Sequence, residues 1–205
     1  MFYELAQFVT RIGLAFWYKL VYINKANIPK DRGAIVASNH VCAADPILVS
    51  YGVKQQLHYM AKKEIFSNPF FSMVLRWLNV FAVDRGAGDG DALQYAVELI
   101  NNKKVMGIFP EGTRSKDGNL LRPKSGMALV AYRTGADIIP AAIYYTNGSK
   151  FRSKVYLCFG ERILFEDLGL TEGKPNELKC ASRQVMVEIA ALRDRCIAVS
   201  QSKEV

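Results

Sequence analysis

The sequence predicts an α/β fold: a mixed, largely parallel sheet flanked by helices, preceded by an N-terminal amphipathic helical segment. Two observations carry that prediction. Short runs rich in β-branched and aromatic residues alternate with segments of helical character, the pattern of strand–helix–strand units. Three of these runs stop abruptly in polar, charged clusters: AIVAS (34–38) before Asn39-His40, FAV (81–83) before Asp84-Arg85-Gly86, and VMGIF (105–109) before PEGTRS (110–115). Parallel sheets with helices on their faces bind ligands outside the carboxyl ends of their strands. On parallel strands the three clusters would meet at one edge.

Taken in order, the chain opens with MFYELAQFVTRIGLAFWYKLVYI. Phe2, Leu5, Val9, Ile12, Phe16 and Ile23 recur at helical spacing, and Phe16, Trp17, Tyr18 and Tyr22 form an aromatic cluster. Glu4, Arg11 and Lys19 interrupt the run, which therefore lacks the ~20 unbroken apolar residues of a transmembrane span. It also lacks the small-residue cleavage site of a secretory signal. Such a helix either packs on the domain's own core or lies in the membrane interface, with Arg11 and Lys19 near lipid phosphates. The expected organisation is residues 1–24 as an interfacial helical segment and residues 25–205 as a single domain.

Strands are expected at Ala34–Ser38, Leu57–Met60, Val80–Val83, Val105–Phe109, Ile138–Ile143 and Val155–Phe159. Helices are expected at Pro46–Tyr51, Pro69–Trp77, Asp89–Asn101, Ser125–Thr134 and about Asn176–Val199. The last has Leu178, Val185, Ile189, Leu192 and Cys196 on or near one stripe. There is no internal repeat and no linker long enough to mark a boundary.

A chain of 205 residues, half of them hydrophobic and 22% charged, suits one folded domain with a sizeable core. The net charge of +8 calls for an anionic partner: a membrane surface, a nucleic acid or a phosphorylated substrate. Cys42, Cys158, Cys180 and Cys196 make no CxxC pair, and His40 and His58 are the two histidines, so no metal site is expected. Scattered thiols of this kind read as reduced, in an intracellular protein. The glycines of RGAGDGD (85–91) have neither dinucleotide-fingerprint spacing nor the oxygen ligands of a calcium loop.

The chemistry gathers in NHVCAAD, residues 39–45. A neutral imidazole with pKa near ~6.5 can accept a proton. An aspartate on its other ring nitrogen would fix the tautomer and stabilise the imidazolium. A base so positioned contributes ~10²–10⁴ in rate. Asp45-Pro46 ahead of ILVS is equally a helix N-cap with proline at the first helical position, and one carboxylate can serve both roles. Cys42 has no second histidine to activate it and reads as a packing residue. In FPEGTRS, Gly112, Thr113, Arg114 and Ser115 offer amides, hydroxyls and a guanidinium suited to phosphate, with Arg85 and Lys124 adding charge. Glu111 would repel a phosphate, so it is expected to orient an arginine or hydrogen-bond a substrate hydroxyl.

Together these blocks resemble the glycerolipid acyltransferases, specifically the bacterial 1-acyl-glycerol-3-phosphate acyltransferases. The family's HxxxxD motif stands at His40–Asp45, its second block at FAVDRG (81–86), its third at FPEGTRS (109–115) and its fourth at IIPAAI (138–143). AKKEIF and RPKSG match further blocks at Lys62 and Lys124. The resemblance implies that His40 deprotonates the free hydroxyl of lysophosphatidate while Asp45 holds the imidazole. The oxygen then attacks the thioester of acyl-CoA or acyl-carrier protein, giving phosphatidate for phospholipid biosynthesis. It implies acceptor binding by Arg85, Glu111, Gly112, Thr113 and Arg114, together with Lys62 and Lys124. It implies no cofactor beyond the acyl-CoA or acyl-carrier protein co-substrate, and no metal. The expected partners are the lipid acceptor, the acyl donor and the membrane surface, not nucleic acid, with a peripheral location on the cytoplasmic face. Two alternatives stay open: the same chemistry on another lysolipid or an amino-lipid, and a non-catalytic membrane-binding protein.

Overall fold

Seven runs of β-forming residues pair into one sheet in this computed structural model, which describes residues 2–67, 72–73, 75, 80–83 and 90–202. The strands are β1 (Lys19–Ile23), β2 (Ala34–Ser38), β3 (Leu57–Lys62), β4 (Val80–Val83), β5 (Val105–Ile108), β6 (Asp137–Ser149) and β7 (Lys154–Phe159). Their order is β1-β7-β6-β2-β5-β3-β4. From β6 to β4 every pairing is parallel, whereas β7 runs antiparallel to β6 and β1 runs parallel to β7. The mixed, largely parallel sheet predicted from the alternation is therefore present.

Five helices accompany it among the described residues: α1 (Phe2–Trp17), α2 (Asp45–Tyr51), α3 (Gly90–Asn101), α4 (Gly126–Thr134) and α5 (Pro175–Gln201). The central strand β2 explains why AIVAS is apolar throughout. Ala34 and Val36 pack with Leu48 and Val49 of α2 on one face, while Ile35 and Ala37 pack with Met127, Val185 and Ile189 of α4 and α5 on the other. A strand covered on both faces shows no alternation of polar and apolar residues. Burying each such aliphatic side chain contributes about 1.5–3 kcal/mol.

Two expectations need correction or qualification. The helix expected to run through Ile23 ends at Trp17, and Lys19–Ile23 instead pairs with β7 in register from Lys19↔Lys154 to Ile23↔Cys158. Leu20, Val21, Tyr22 and Ile23 are strand formers, and β7 offers an open edge that this segment closes. Of the two readings of α1, packing on the domain's own core is present in part. Leu14 packs on the core and Tyr51 donates its hydroxyl to Thr10 Oγ1 at 2.8 Å, while Ile12, Phe16 and Trp17 stay exposed. The expected helix at Pro69–Trp77 lies largely outside the described residues.

His58, the second residue of β3, is buried near that strand's amino end, away from the carboxyl-end cluster. Burial, reinforced by the nearby Lys104 cation, lowers its pKa to about 4. The unfolded chain, with an ordinary value near ~6.5, then binds more protons between pH ~4 and ~6.5, so stability present at neutral pH is lost as pH falls through that window. The full linkage is on the order of 3 kcal/mol. Urea melts across pH 7 to 4.5 should show a flatter loss of stability for His58→Gln than for the wild type.

Candidate active site

The carboxyl end of β2 is fastened before it delivers any chemistry. Asn39, buried, donates from Nδ2 to the Ile143 carbonyl at 3.0 Å and accepts the Ile143 N–H at 2.9 Å, extending the β2–β6 ladder by one side chain. The next six residues fold back on themselves, with the Asp45 N–H donating to the Cys42 carbonyl at 3.1 Å. Asp45 Oδ2 then accepts the Val41 N–H at 2.6 Å and the Cys42 N–H at 2.7 Å, and lies 2.8 Å from His40 Nδ1. Its other oxygen accepts the Tyr145 hydroxyl at 2.5 Å. Asp45 is 0% exposed, and these four donors replace the water it has lost.

The N-cap expectation for Asp45 is not realised. Asp45 is the first residue of α2, Ala44 precedes it without a side-chain cap, and the carboxylate turns back to the loop amides instead of forward to the helix. Because a carboxylate accepts, His40 Nδ1 carries the proton and Nε2 keeps its lone pair. The imidazole also stacks on Phe109, with centroids 4.0 Å apart and planes at 16°, and Phe109 stacks in turn on Tyr59. Gly107 makes room for that stack, since a Cβ there would come within 2.2 Å of the Tyr59 ring.

The loop after β5 grips the same turn from the other side. Ser115 donates its N–H to the His40 carbonyl at 2.7 Å, and Glu111 Oε1 accepts the His40 N–H at 3.2 Å. Glu111 Oε2 accepts the Leu121 N–H at 3.2 Å, so both oxygens are engaged with main chain. Burial pushes the Glu111 pKa up, and the two amides and His40 oppose that shift. Gly112 adopts φ +69°, a left-handed conformation that favours glycine, and the Lys124 side chain lies where its Cβ would be. Thr113 and Arg114 are exposed on this loop. Behind it, Asp117 accepts from Ser115 and Asn119, and Arg193 of α5 donates to the Gly118 carbonyl at 3.1 Å. Arg85 and the Lys62 side chain lie outside the described residues.

An acyltransferase family model matches residues 19–144, well over half of the chain. The chain belongs to the acyltransferase family. It is 33% identical over 142 residues to a 1-acyl-sn-glycerol-3-phosphate acyltransferase of Bacillus subtilis, covering 67% of this chain and 70% of that protein. A protein of the same name from Borreliella burgdorferi is 29% identical over 150 residues, covering 71% of this chain and 60% of its own length. The fold is similar to the crystal structure of the 1-acyl-sn-glycerophosphate acyltransferase PlsC from Thermotoga maritima, with TM-score 0.75 and 26% identity, over 100% of this chain and 81% of that one.

Within this acyltransferase, the structure joins His40, Asp45 and Glu111 in one hydrogen-bonded unit and sets Gly112 against Lys124. Three contributors were not singled out in the sequence: Asn39, Phe109 and Tyr145. Tyr145 follows the IIPAAI block by two residues, and its twin Tyr144 points to the other face, so only a strand reading carried to Ser149 would have separated them. Burial, with the facing Asp45 carboxylate next in importance, holds the Tyr145 hydroxyl far above the ordinary tyrosine range, so it stays a donor. Tyr18 covers the pair, its ring edge-on to Tyr145 at 5.7 Å.

Two substitutions test this framework by urea denaturation. Glu111→Ala leaves two part-buried amides without their acceptor and is expected to cost about 2 kcal/mol. Gly107→Val forces the Tyr59–Phe109 stack apart and is expected to cost about 2–3 kcal/mol.

Proposed function

We propose that this acyltransferase moves a fatty acyl group from acyl-CoA or acyl-carrier protein to the free hydroxyl of lysophosphatidate, giving phosphatidate, by direct transfer with His40 as general base. The observation that carries the reading is the 2.8 Å contact of His40 Nδ1 with the buried Asp45 carboxylate. It fixes the proton on Nδ1 and leaves Nε2 to take the proton of the acceptor hydroxyl. The hydroxyl oxygen bonds to the thioester carbonyl carbon as that proton passes to Nε2. The resulting imidazolium is stabilised by Asp45. When the tetrahedral intermediate collapses, the carbon–sulfur bond breaks and the imidazolium returns the proton to the departing thiol. Tyr145 holds the second Asp45 oxygen and Phe109 fixes the ring plane, so neither partner need reorganise during transfer.

The acceptor assignment is supported by the names of the similar proteins and by the phosphate-suited group at the strand ends. Gly112, Thr113, Arg114 and Lys124, with Arg85 and Lys62 from the neighbouring strands, would hold the acceptor's phosphate and glycerol. Glu111 would join them as an acceptor-binding group, and its contact with the His40 N–H would also help to position that residue. We place the enzyme peripherally on the cytoplasmic face of the membrane, with α1 in the interface. The exposure of Ile12 (58%) and Phe16 (68%) on α1 supports that placement.

Thiol release from palmitoyl-CoA, measured with lysophosphatidate in mixed micelles, tests the reaction. His40→Ala is expected to lose a factor of ~10²–10⁴. Undiminished release by that variant would remove His40 from the chemistry. Without release from the CoA ester, the same assay with acyl-carrier protein decides between donors. Tyr145→Phe is expected to lower kcat about three- to tenfold with little change in KM for the acceptor, matching loss of one hydrogen bond of about 1 kcal/mol.

A further inference from the structure

We propose that the tip of the β6–β7 hairpin, Lys150–Lys154, is a membrane-contacting element that joins the end of α1 in one docking surface for an anionic phospholipid bilayer. The proposal stands on surface chemistry and not on the reaction, so vesicle binding and acyl transfer can fail separately.

Three aromatic rings meet on the outside of the protein. Phe151 at the hairpin tip is 52% exposed, yet its ring centroid lies 5.6 Å from that of Phe16 and 5.2 Å from that of Trp17. Phe16 and Trp17 are themselves 68% and 46% exposed. Rings brought together from opposite parts of the chain, and still left open to water, mark an interaction site. The assembly is one body. Arg152 donates its N–H to the Trp17 carbonyl at 2.6 Å, Lys19 to the Ser153 carbonyl at 3.0 Å, and Trp17 Nε1 to the Ser149 carbonyl at 3.3 Å. The turn closes through Ser153 N–H to the Lys150 carbonyl at 3.1 Å, with Arg152 at φ 60°. Glycine would adopt that conformation more readily, yet the position carries a cation.

Charge selects the partner. Lys19, Lys150, Arg152 and Lys154 are all exposed around the rings. Between residues 138 and 160 the chain carries Lys150, Arg152 and Lys154 and no Asp or Glu. Aromatic rings rimmed by cations match the headgroup layer of an anionic bilayer, where rings enter the interface and cations stay with phosphates. A conventional protein partner would be expected to answer a basic rim with acidic groups, without needing the rings grouped at one tip. The topology adds direction. The tip follows the carboxyl end of β6, which runs parallel to β2, so it lies at the same sheet edge as His40.

Sedimentation of the full chain with vesicles of phosphatidylcholine, with and without 30% phosphatidylglycerol (about that fraction by mole), tests the proposal. Phe151→Ser is expected to lower the partition coefficient for the anionic vesicles at least about tenfold. Lys150→Ser/Arg152→Gly/Lys154→Ser is expected to abolish the preference for anionic vesicles. Arg152→Gly relaxes the turn, so an unchanged Tm shows that the loss is not misfolding. Thiol release in detergent micelles should survive in both variants. Wild-type binding retained by both would overturn the proposal. So would a wild-type dimer in light scattering without lipid that Phe151→Ser converts to monomer, because the rings would then be a contact between two copies.

Discussion

The buried carboxylate of Asp45 is the constraint around which the rest is arranged. A carboxylate removed from water must be met by donors, and losing one leaves its charge under-solvated. Here two are amides of the turn itself, one is the imidazole and one is the Tyr145 hydroxyl. The first two require residues 41 and 42 to curl over the carboxylate. The turn is thus shaped by the solvation of Asp45 as much as by any demand of catalysis, and the four-residue spacing between histidine and aspartate follows from it. The same network sets His40 in one tautomer and one orientation. Solvating Asp45 and orienting His40 are a single structural act.

That turn does not stand alone. Its backbone is gripped from β5 through Glu111 and Ser115, and its base is clamped to β6 by Asn39. The third motif therefore has a structural half and a surface half. Glu111 and Ser115 are buried and serve His40, while Thr113 and Arg114 between them face outward. Alternation of this kind lets one short loop lock His40 in place and still present polar groups to solvent. Phe109, at the start of the loop, completes the link by stacking on the imidazole.

Much of this was legible in the sequence because it is local. The six expected strands lie within the observed ones apart from Phe109, one residue past β5, since apolar runs bounded by polar residues hold their own boundaries. The pairing of His40 with Asp45 was legible because only four residues separate them. What was not legible depends on partners distant in the chain. Lys19–Ile23 has helical spacing on paper and becomes a strand because β7, more than a hundred residues away, offers an edge. Tyr145 reaches Asp45 across 100 positions, and its aim is fixed only by the register of β6 on β2. Glu111 is the acidic member of a phosphate-suited loop, and nothing local in the sequence marks the two main-chain amides that it meets. Its carboxylate is directed inward because two main-chain amides there lack any other acceptor among the described contacts. Asp45 followed by proline resembled a cap, but the loop amides outcompete the helix for it.

The reversed pair β7–β1 is the feature that turns an ordinary parallel layer into this architecture. In a wholly parallel sheet the chain would leave β6 through a crossover helix and return to the opposite edge. Reversal replaces that crossover with a tight hairpin, so the chain turns at the edge where β2 and β5 end. It also makes β1 start at that edge, because β1 runs parallel to β7. Since α1 leads directly into β1, its last turn must lie there too, and Tyr18 is carried over the Asp45–Tyr145 pair as it enters the strand. One inversion of strand direction therefore brings the N-terminal helix, the hairpin tip and the His40–Asp45 turn to a common edge, without any long loop to connect them.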